Sequence, residues 1–381
     1  MKNIVFVTGT RADFGKLQPL AQGAENVGCS VTWYVTGMHM LEKYGLTKIE
    51  VFKTGHRVFE SINQRESDSQ DIIMAKTITS FSDYVLESKP EAVVLHGDRV
   101  EALACALVCA MNYIPCIHIE GGEVSGTLDE SLRHCVTKLA QFHLVSSNDA
   151  LNRILRMGEP KERIHLIGSP ELDGHLKCSK INIDSVRKRY QISFKDYGIC
   201  IFHPVTTEQN IIENQTLVLF NALESTKKCF VVIAPNNDPG CKHIFDRLNV
   251  LDPKYFRILP SMRFDYFSAL MSNSKIFIGN SSAGIREAPF LGIKSINLGT
   301  RQLNRSSNGE IINCSALDFE DIVKNINDYW GAKVNQDTTF GDGSAQIRFE
   351  DILRSGVFEN VNFQKSFIDP TNELLGAQCL A

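Results

Sequence analysis

The sequence predicts an α/β protein made of two doubly wound, Rossmann-like domains. Three observations carry this. Short apolar runs alternate with helix-length amphipathic segments from Ile4 to Ile167, the pattern of strand-helix-strand units and a parallel sheet. The alternation restarts near Ile199 and continues to Leu298. The chain has 381 residues, more than one hydrophobic core usually serves. Domains are therefore expected over 1–170 and 180–355, with the boundary in the Gly-, Pro- and polar-rich stretch that starts at Gly168.

Apolar residues make up 43% of the chain and charged residues 22%, which fits an ordinary globular protein. The net charge of −4 offers no basic surface for nucleic acid. No apolar run approaches the roughly 20 residues of a membrane span. The 11 cysteines include no CxxC pair, so zinc spacing is absent. Cys105 and Cys109, four apart, read as one buried helix face. The first apolar run is too short for a signal peptide, so a cytoplasmic protein with reduced thiols is expected.

In chain order, a strand at 4–7 feeds Thr8-Gly9-Thr10-Arg11-Ala12-Asp13 and a helix carrying Leu17, Leu20 and Ala24. A glycine turn entering a helix leaves N–H groups that favour anions, and Arg11 adds a fixed charge there. The turn is not a GxGxxG dinucleotide fingerprint. A second strand is expected at 31–35. Residues 50–69 are polar and irregular and read as a surface loop or lid. Residues 71–86 read as an amphipathic helix with Ile72, Ala75, Ile78, Phe81 and Val85 on its apolar side. Two strands, 93–95 and 114–119, flank one helix-length segment. Strands follow at 142–145 and 163–167, with a helix at 150–157 between them. In the second half, strands are expected at 199–202, 230–234, 256–259, 276–278 and 294–298, and helices at 186–190, 263–271, 318–329 and 345–354.

Charge gathers where these strands end, the place where open α/β sheets bind ligands. Asp98 follows the strand at 93–95, Glu120 follows the strand at 114–119, and Asp129 opens a helix after a Gly-rich turn. A single such acid is ordinarily a helix cap or a partner for Arg99. Three at neighbouring strand ends point to acid–base chemistry. A buried Glu120 would have a raised pKa unless paired. His203 stands at a strand end in the second half, whereas His134 and His143 read as structural. Asn280-Ser281-Ser282-Ala283-Gly284 opens a helix with Arg286 and Glu287 in its first turns, and Arg301 and Arg305 follow a neighbouring strand. Hydroxyls, free N–H groups and arginines make an anion pocket suited to a diphosphate. Ser281 and Ser282 also serve as ordinary helix caps. Glu287 repels phosphate and suits two vicinal ribose hydroxyls.

The chain closely resembles the hydrolysing UDP-N-acetylglucosamine 2-epimerases of bacterial sialic acid synthesis. The motifs that carry the resemblance are GTRADFGKL (9–17), VTGMHM (35–40), HGDR (96–99), HIEGGEVSGTLDESLRH (118–134), HPVTTE (203–208), PNND (235–238), GNSSAGIREAP (279–289) and GTRQ (299–302). They run in order along nearly the whole chain. The resemblance implies the GT-B architecture, with a C-terminal segment of about 356–381 returning to the first domain. It implies catalytic carboxylates at Asp98, Glu120 and Asp129 and a cleft histidine at His203. It implies nucleotide-binding positions at Arg11, Arg99, Asn236, Ser281, Ser282, Glu287 and Arg301, beside Arg286 of the anion pocket. A homodimer or homotetramer acting on a UDP-sugar, with no cofactor and no metal, is also implied.

The implied reaction expels UDP from C1 so that the hydrogen on C2 becomes removable, forms 2-acetamidoglucal, and adds water to give N-acetylmannosamine. The residues leave open which acid removes the proton and which returns it. A hydrolysing 2-epimerase of UDP-2,4-diacetamido-2,4,6-trideoxyglucose, in legionaminic acid synthesis, shares HGDR and HIEGGE. A UDP-sugar glycosyltransferase of the same fold would have no need of three acids. A nucleotide-sugar-binding regulator would keep its function when Asp98 is neutralised.

Overall fold

A computed structural model describes residues 2–368 except 43–44, 66–67, 126–127, 179–180, 236–238, 307, 360 and 367. Its first sheet contains β1 (Asn3–Thr8), β2 (Ser30–Val35), β3 (Arg57–Glu60), β4 (Ala92–His96), β5 (Cys116–Ile119), β6 (Phe142–Val145) and β7 (Ile164–Leu166). All pairings are parallel, in the order β3-β2-β1-β4-β5-β6-β7. Helices α1 (Arg11–Asn26), α2 (Lys48–Phe52), α3 (Gln70–Ser88), α4 (Val100–Met111), α5 (Leu128–Leu139), α6 (Asn148–Arg156) and α7 (Glu171–Cys178) accompany it.

Period-two alternation divides the strand residues between two helical layers. Ile4 and Phe6 of β1 join Trp33, Leu17 and Leu20 on one face, while Val5 and Val7 join Tyr34, Phe81, Cys105 and Cys109 on the other. Strands buried on both faces read as continuous apolar runs, which is why the central ones are visible in the sequence.

The second sheet contains β8 (Gly198–Ile201), β9 (Phe230–Ile233), β10 (Phe256–Leu259), β11 (Phe277–Gly279), β12 (Ser295–Leu298) and β13 (Ile311–Cys314). Its order is β10-β9-β8-β11-β12-β13, again all parallel. It is accompanied by α8 (Ile183–Tyr190), α9 (Ile212–Ser225), α10 (Cys241–Leu248), α11 (Phe264–Ser272), α12 (Glu287–Phe290) and α13 (Phe319–Tyr329). In each sheet the strand order reverses once, between β1 and β4 and between β8 and β11. Those switch points are where doubly wound folds bind ligands. Among the described residues no helix is long and apolar enough to cross a membrane.

Several expectations need correction. Residues 50–69 are not wholly irregular, because they contain part of α2 and the edge strand β3. Three of the four β3 residues are exposed, so no apolar run marks it. Edge strand β13 lies where the sequence predicts no strand, because its two central residues are not buried. The buried face of α3 is Ile73, Thr77, Phe81, Tyr84 and Val85, and Ile72 is 44% exposed.

The division of the chain also differs from the expected bounds. One compact unit comprises the residues up to Glu123, Leu128–Asp173, and the chain from Thr339 on; the other is built on Gly174–Thr338. The crossing therefore falls inside α7, and the return begins near Thr339, not near 356. Helix α14 (Ala345–Arg354) belongs to the first unit. Ala345, Phe349 and Phe358 join the core beneath α1. Asp173 caps α14 by accepting the Ala345 and Gln346 N–H groups at 3.0 and 2.7 Å. Farther along, Lys365 donates to the Thr137, Lys138 and Ala140 carbonyls at the end of α5, at 3.1, 3.0 and 2.7 Å. A cation there also complements the helix dipole. Lys365 pairs at 2.6 Å with the buried Glu159. Burial opposes the charge of Glu159, but hydrogen bonds from His143, Lys138 and Lys365 outweigh it and hold its pKa at about 2.

Phe349 is fully buried, so Phe349→Ala should cost about 3–5 kcal/mol in denaturant unfolding of the full chain. An unchanged unfolding midpoint would show that α14 is not part of this core.

Candidate functional site

At the carboxyl edge of the first sheet, the turn after β5 places Glu120 in the left-handed region, with φ of 59°. That conformation is uncommon for a residue with a side chain and often marks a functional turn. The turn is held because the Glu120 N–H donates to Leu144 O at 2.9 Å. The carboxylate is 4% exposed. Lys16 Nζ donates to Oε2 at 2.9 Å, His96 Nε2 lies 3.1 Å from the same oxygen, and Ser169 Oγ donates to Oε1. Lys16 also pairs with Glu171 at 3.1 Å.

His96 ends β4 and reaches across the switch point. Its Nδ1 lies 3.3 Å from Asp13 Oδ1 in α1. The imidazole thus stands between two carboxylates. Burial would lower its pKa, but hydrogen bonds with Asp13 and Glu120 prevail and raise it. Asp13 responds in the opposite sense. Burial pushes it up, while His96, with Arg99 behind it, pulls it below the usual carboxylate range.

Asp98 pairs with Arg133 of α5, not with its neighbour Arg99. Arg99 turns instead to the buried Glu101, with Nε 3.2 Å from Oε2. Burial would lower the Arg99 pKa, but Glu101 first, then Asp13 and Asp129, hold it raised. Asp129, exposed in the first turn of α5, is therefore within electrostatic reach of the Asp98–Arg99 turn. Arg133 Nη1 also donates to Glu123 O at 2.8 Å, joining α5 to the turn after β5. Two nearby histidines differ from His96. Burial is the main cause that pushes His118 down to about 3 and His39 down to about 4. Arg11 opens α1 and is half-buried.

The second sheet has a separate cluster at its own switch point. Strands β8 and β11 approach so closely that a Cβ on Gly279 would lie 1.9 Å from Ile201 O, and φ there is 138°. The next residue, Asn280, clasps the backbone of His203: it accepts from His203 N and donates to His203 O, both at 2.7 Å. Its own carbonyl accepts from Arg301 Nη1 at 3.2 Å and Gln302 Nε2 at 3.0 Å. Ser281 accepts from the Ala283 N–H at 3.4 Å, the cap role foreseen for it. The expected single helix after it is broken into a 3-10 turn, Ser282–Gly284, and the one-turn α12. Arg286 is buried where α12 begins. Glu287 accepts from His175 Nε2 at 2.7 Å, and His175 Nδ1 lies 2.8 Å from Ser268 Oγ. Asn236 lies outside the described residues.

Asp98, Glu120 and Asp129 thus all belong to the edge formed by β4, β5 and α5, and His203, Ser281, Ser282, Arg286, Glu287 and Arg301 to the edge formed by β8, β11 and β12. The supporting residues Asp13, Lys16, His96, Ser169 and His175 escape sequence reasoning. Asp13 lies three residues after Thr10, whose hydroxyl accepts its N–H, so it reads as part of a helix cap. Lys16 and His175 look like solvated helix charges. Only the tertiary fold brings them to carboxylates. Among the described residues no group of three His, Cys, Asp or Glu side chains is placed to hold a metal ion.

A family model described as UDP-N-acetylglucosamine 2-epimerase matches residues 23–354. A UDP-N-acetylglucosamine 2-epimerase of Neisseria meningitidis serogroup B is 41% identical over 379 residues, covering 97% of this chain and 99% of the relative. A UDP-N,N'-diacetylbacillosamine 2-epimerase (hydrolyzing) of Legionella pneumophila is 31% identical over 366 residues, covering 93% and 96%. The solved structure of a UDP-GlcNAc 2-epimerase from Neisseria meningitidis, bound to UDP-GlcNAc, shares the fold with a TM-score of 0.81. Its sequence identity is 21%, and the match covers 93% of this chain and 100% of that one.

The histidines provide a direct check. His96, with its raised pKa, favours the folded state fully below about pH 6.5 and loses that contribution as pH rises through its folded value. His39 and His118 favour it fully above about pH 6.5 and lose their contribution as pH falls towards their lowered values. Nitrogen-15 imidazole spectra at about pH 6 should show His96 protonated on both nitrogens and His39 and His118 neutral. A doubly protonated His118 at that pH would contradict the geometry.

Proposed function

The chain belongs to the UDP-N-acetylglucosamine 2-epimerase family, and from that premise we propose that it is of the hydrolysing type, converting UDP-N-acetylglucosamine and water to N-acetylmannosamine and UDP. The observation that carries the reading is the buried Glu120 carboxylate, held by Lys16, His96 and Ser169 one strand away from Asp98. The 31% identity to a relative named as hydrolyzing supports the type.

The hydrogen on C2 of the sugar has no neighbouring carbonyl to acidify it. Breaking the C1–O bond to UDP builds positive charge at C1, and that charge makes the C2 hydrogen removable. A carboxylate of the first unit takes the proton, giving 2-acetamidoglucal. An acid then protonates C2 from the opposite face while water adds its oxygen at C1 and gives up a proton. Asp98, Glu120 and Asp129 are the proposed proton carriers. His96, tied to both Asp13 and Glu120, gives Glu120 a path for proton exchange.

The leaving diphosphate needs positive charge and N–H donors. Arg11, Arg99, Asn236, Ser281, Ser282, Arg286 and Arg301 are the proposed nucleotide contacts, and His203 is proposed as a further catalytic residue. Glu287, oriented by His175, suits the ribose hydroxyls. A second reading keeps this chemistry with a UDP-2,4-diacetamido-2,4,6-trideoxy sugar. The Legionella relative favours it, but at lower identity than the Neisseria one.

Turnover of UDP-N-acetylglucosamine in D₂O, followed by NMR, should release free N-acetylmannosamine carrying deuterium at C2. Release of UDP-N-acetylmannosamine would identify the non-hydrolysing type, and a sugar that keeps its original C2 hydrogen would rule out the elimination. Faster turnover of the diacetamido sugar in a parallel assay would select the second reading. Glu120→Gln should lower kcat by about 10²–10⁴-fold while changing UDP affinity by less than about threefold. Equal losses in both would remove Glu120 from the chemistry.

A further inference from the structure

His118 is fully buried in β5, two residues before Glu120. Its strand neighbours Ile117 and Ile119 point into the apolar layer beneath α1, so His118 points the other way, towards α5. A histidine buried there, beside the apolar layer that holds Val136 and Ala140, is costly unless both ring nitrogens are matched. Both are. Nε2 lies 2.8 Å from Gly97 O and Nδ1 lies 3.2 Å from Thr137 Oγ1. A carbonyl accepts only, so Nε2 carries the hydrogen. Nδ1 is then bare, and the Thr137 hydroxyl donates to it. The lowered pKa of about 3 agrees with this neutral tautomer.

The partners are what matter. Gly97 immediately precedes Asp98, and its own N–H donates to Ile119 O at 3.1 Å. The peptide groups on both sides of Gly97 are thus tied to β5, one through the strand backbone and one through the His118 ring. Thr137 lies on α5, which carries Asp129 and the Arg133 that pairs with Asp98. Gly121, immediately after Glu120, rests against the same ring: a Cβ there would lie 2.8 Å from His118 Nδ1 and 3.0 Å from Thr137 Oγ1. One imidazole therefore touches the turn that bears Asp98, the turn that bears Glu120 and the helix that bears Asp129.

We propose that His118 is a positioning residue that sets the mutual placement of Asp98, Glu120 and Asp129 through Gly97, Gly121 and Thr137. This rests on the epimerase reading for its effect on turnover, and on geometry alone for its effect on the three acids. A fixed neutral ring suits the task better than a charged or flexible side chain. It makes two directed hydrogen bonds, and with its pKa pushed down to about 3 it is neutral near neutral pH.

The test uses the full-length protein and three variants. In His118→Gln the side-chain amide can still donate to Gly97 O; in His118→Leu nothing can. His118→Leu should lower kcat by about 10- to 100-fold, since small displacements of reacting groups cost that much, with UDP affinity unchanged within about twofold. His118→Gln should recover most of the loss and keep the wild-type pH profile. A loss in Gln as large as in Leu, or a pH profile missing one limb, would overturn the proposal. Should the leucine variant fail to fold, Thr137→Val decides: it removes one hydroxyl and should lower kcat with UDP affinity intact, and an unchanged kcat would overturn the proposal. The placement is also read without turnover, from the carbon-13 carboxyl shifts of Asp98, Glu120 and Asp129. They should move together in the leucine or valine variant and stay near wild type in Gln; shifts that do not move would overturn it. A wild-type protein that does not turn over UDP-N-acetylglucosamine would fail the functional reading instead, and the carboxyl shifts would still decide this one.

Discussion

A carboxylate taken out of water keeps its charge only where cations and donors replace the lost hydration, and the burial of Glu120 organises the carboxyl edge of the first sheet. Lys16 and His96 bring positive charge from α1 and β4, and Ser169 brings a hydroxyl from the chain just before α7. None of these is local to Glu120 in sequence. Each arrives because the doubly wound order sets β4 beside β5, and α1 follows the strand on the other side of β4. His96 in turn needs Asp13, which gives α1 a second tie to the same cluster. The charge of one side chain thus fixes how three elements meet.

The two sheets meet the same topological constraint with different chemistry. At the first switch point, the end of β4 is joined to the first turn of α1 by a titratable pair, His96 and Asp13. At the second, the join is a neutral amide, with Asn280 bracing both backbone groups of His203. A titratable bridge suits a place where protons move. An amide bridge suits a place that must hold a shape whatever the pH.

How much of this is legible in the sequence depends on range. Central strands announce themselves because burial on both faces makes them continuously apolar; Asp98 and Glu120 stand out at their ends, and Asp129 at the start of α5. The edge strand at Arg57–Glu60 is hidden because its side chains meet water. Helix α14 is visible as a helix, but nothing in AQIRFEDILR says which unit it covers. The partners of the acids are the least visible part. Lys16 lies 104 residues from Glu120, and His175 lies 112 residues from Glu287. A pairing at that distance has no periodicity to betray it, so the acids can be found from local pattern while the groups that hold them cannot. The partner of Asp98 is hidden for the same reason: it is Arg133, from another helix, and not the adjacent Arg99.

Because α14 and Phe358 complete the core beneath α1, the first unit stays unfinished during synthesis until the whole second unit has been made. At about 5–20 residues per second, the ribosome leaves the Leu17–Leu20 face of α1 uncovered for on the order of ten seconds. A nascent chain in that state offers a sticky apolar stripe beside a sheet already able to form. The order of the chain thus makes the arrival of α14 and Phe358 the step that closes the core of the first unit.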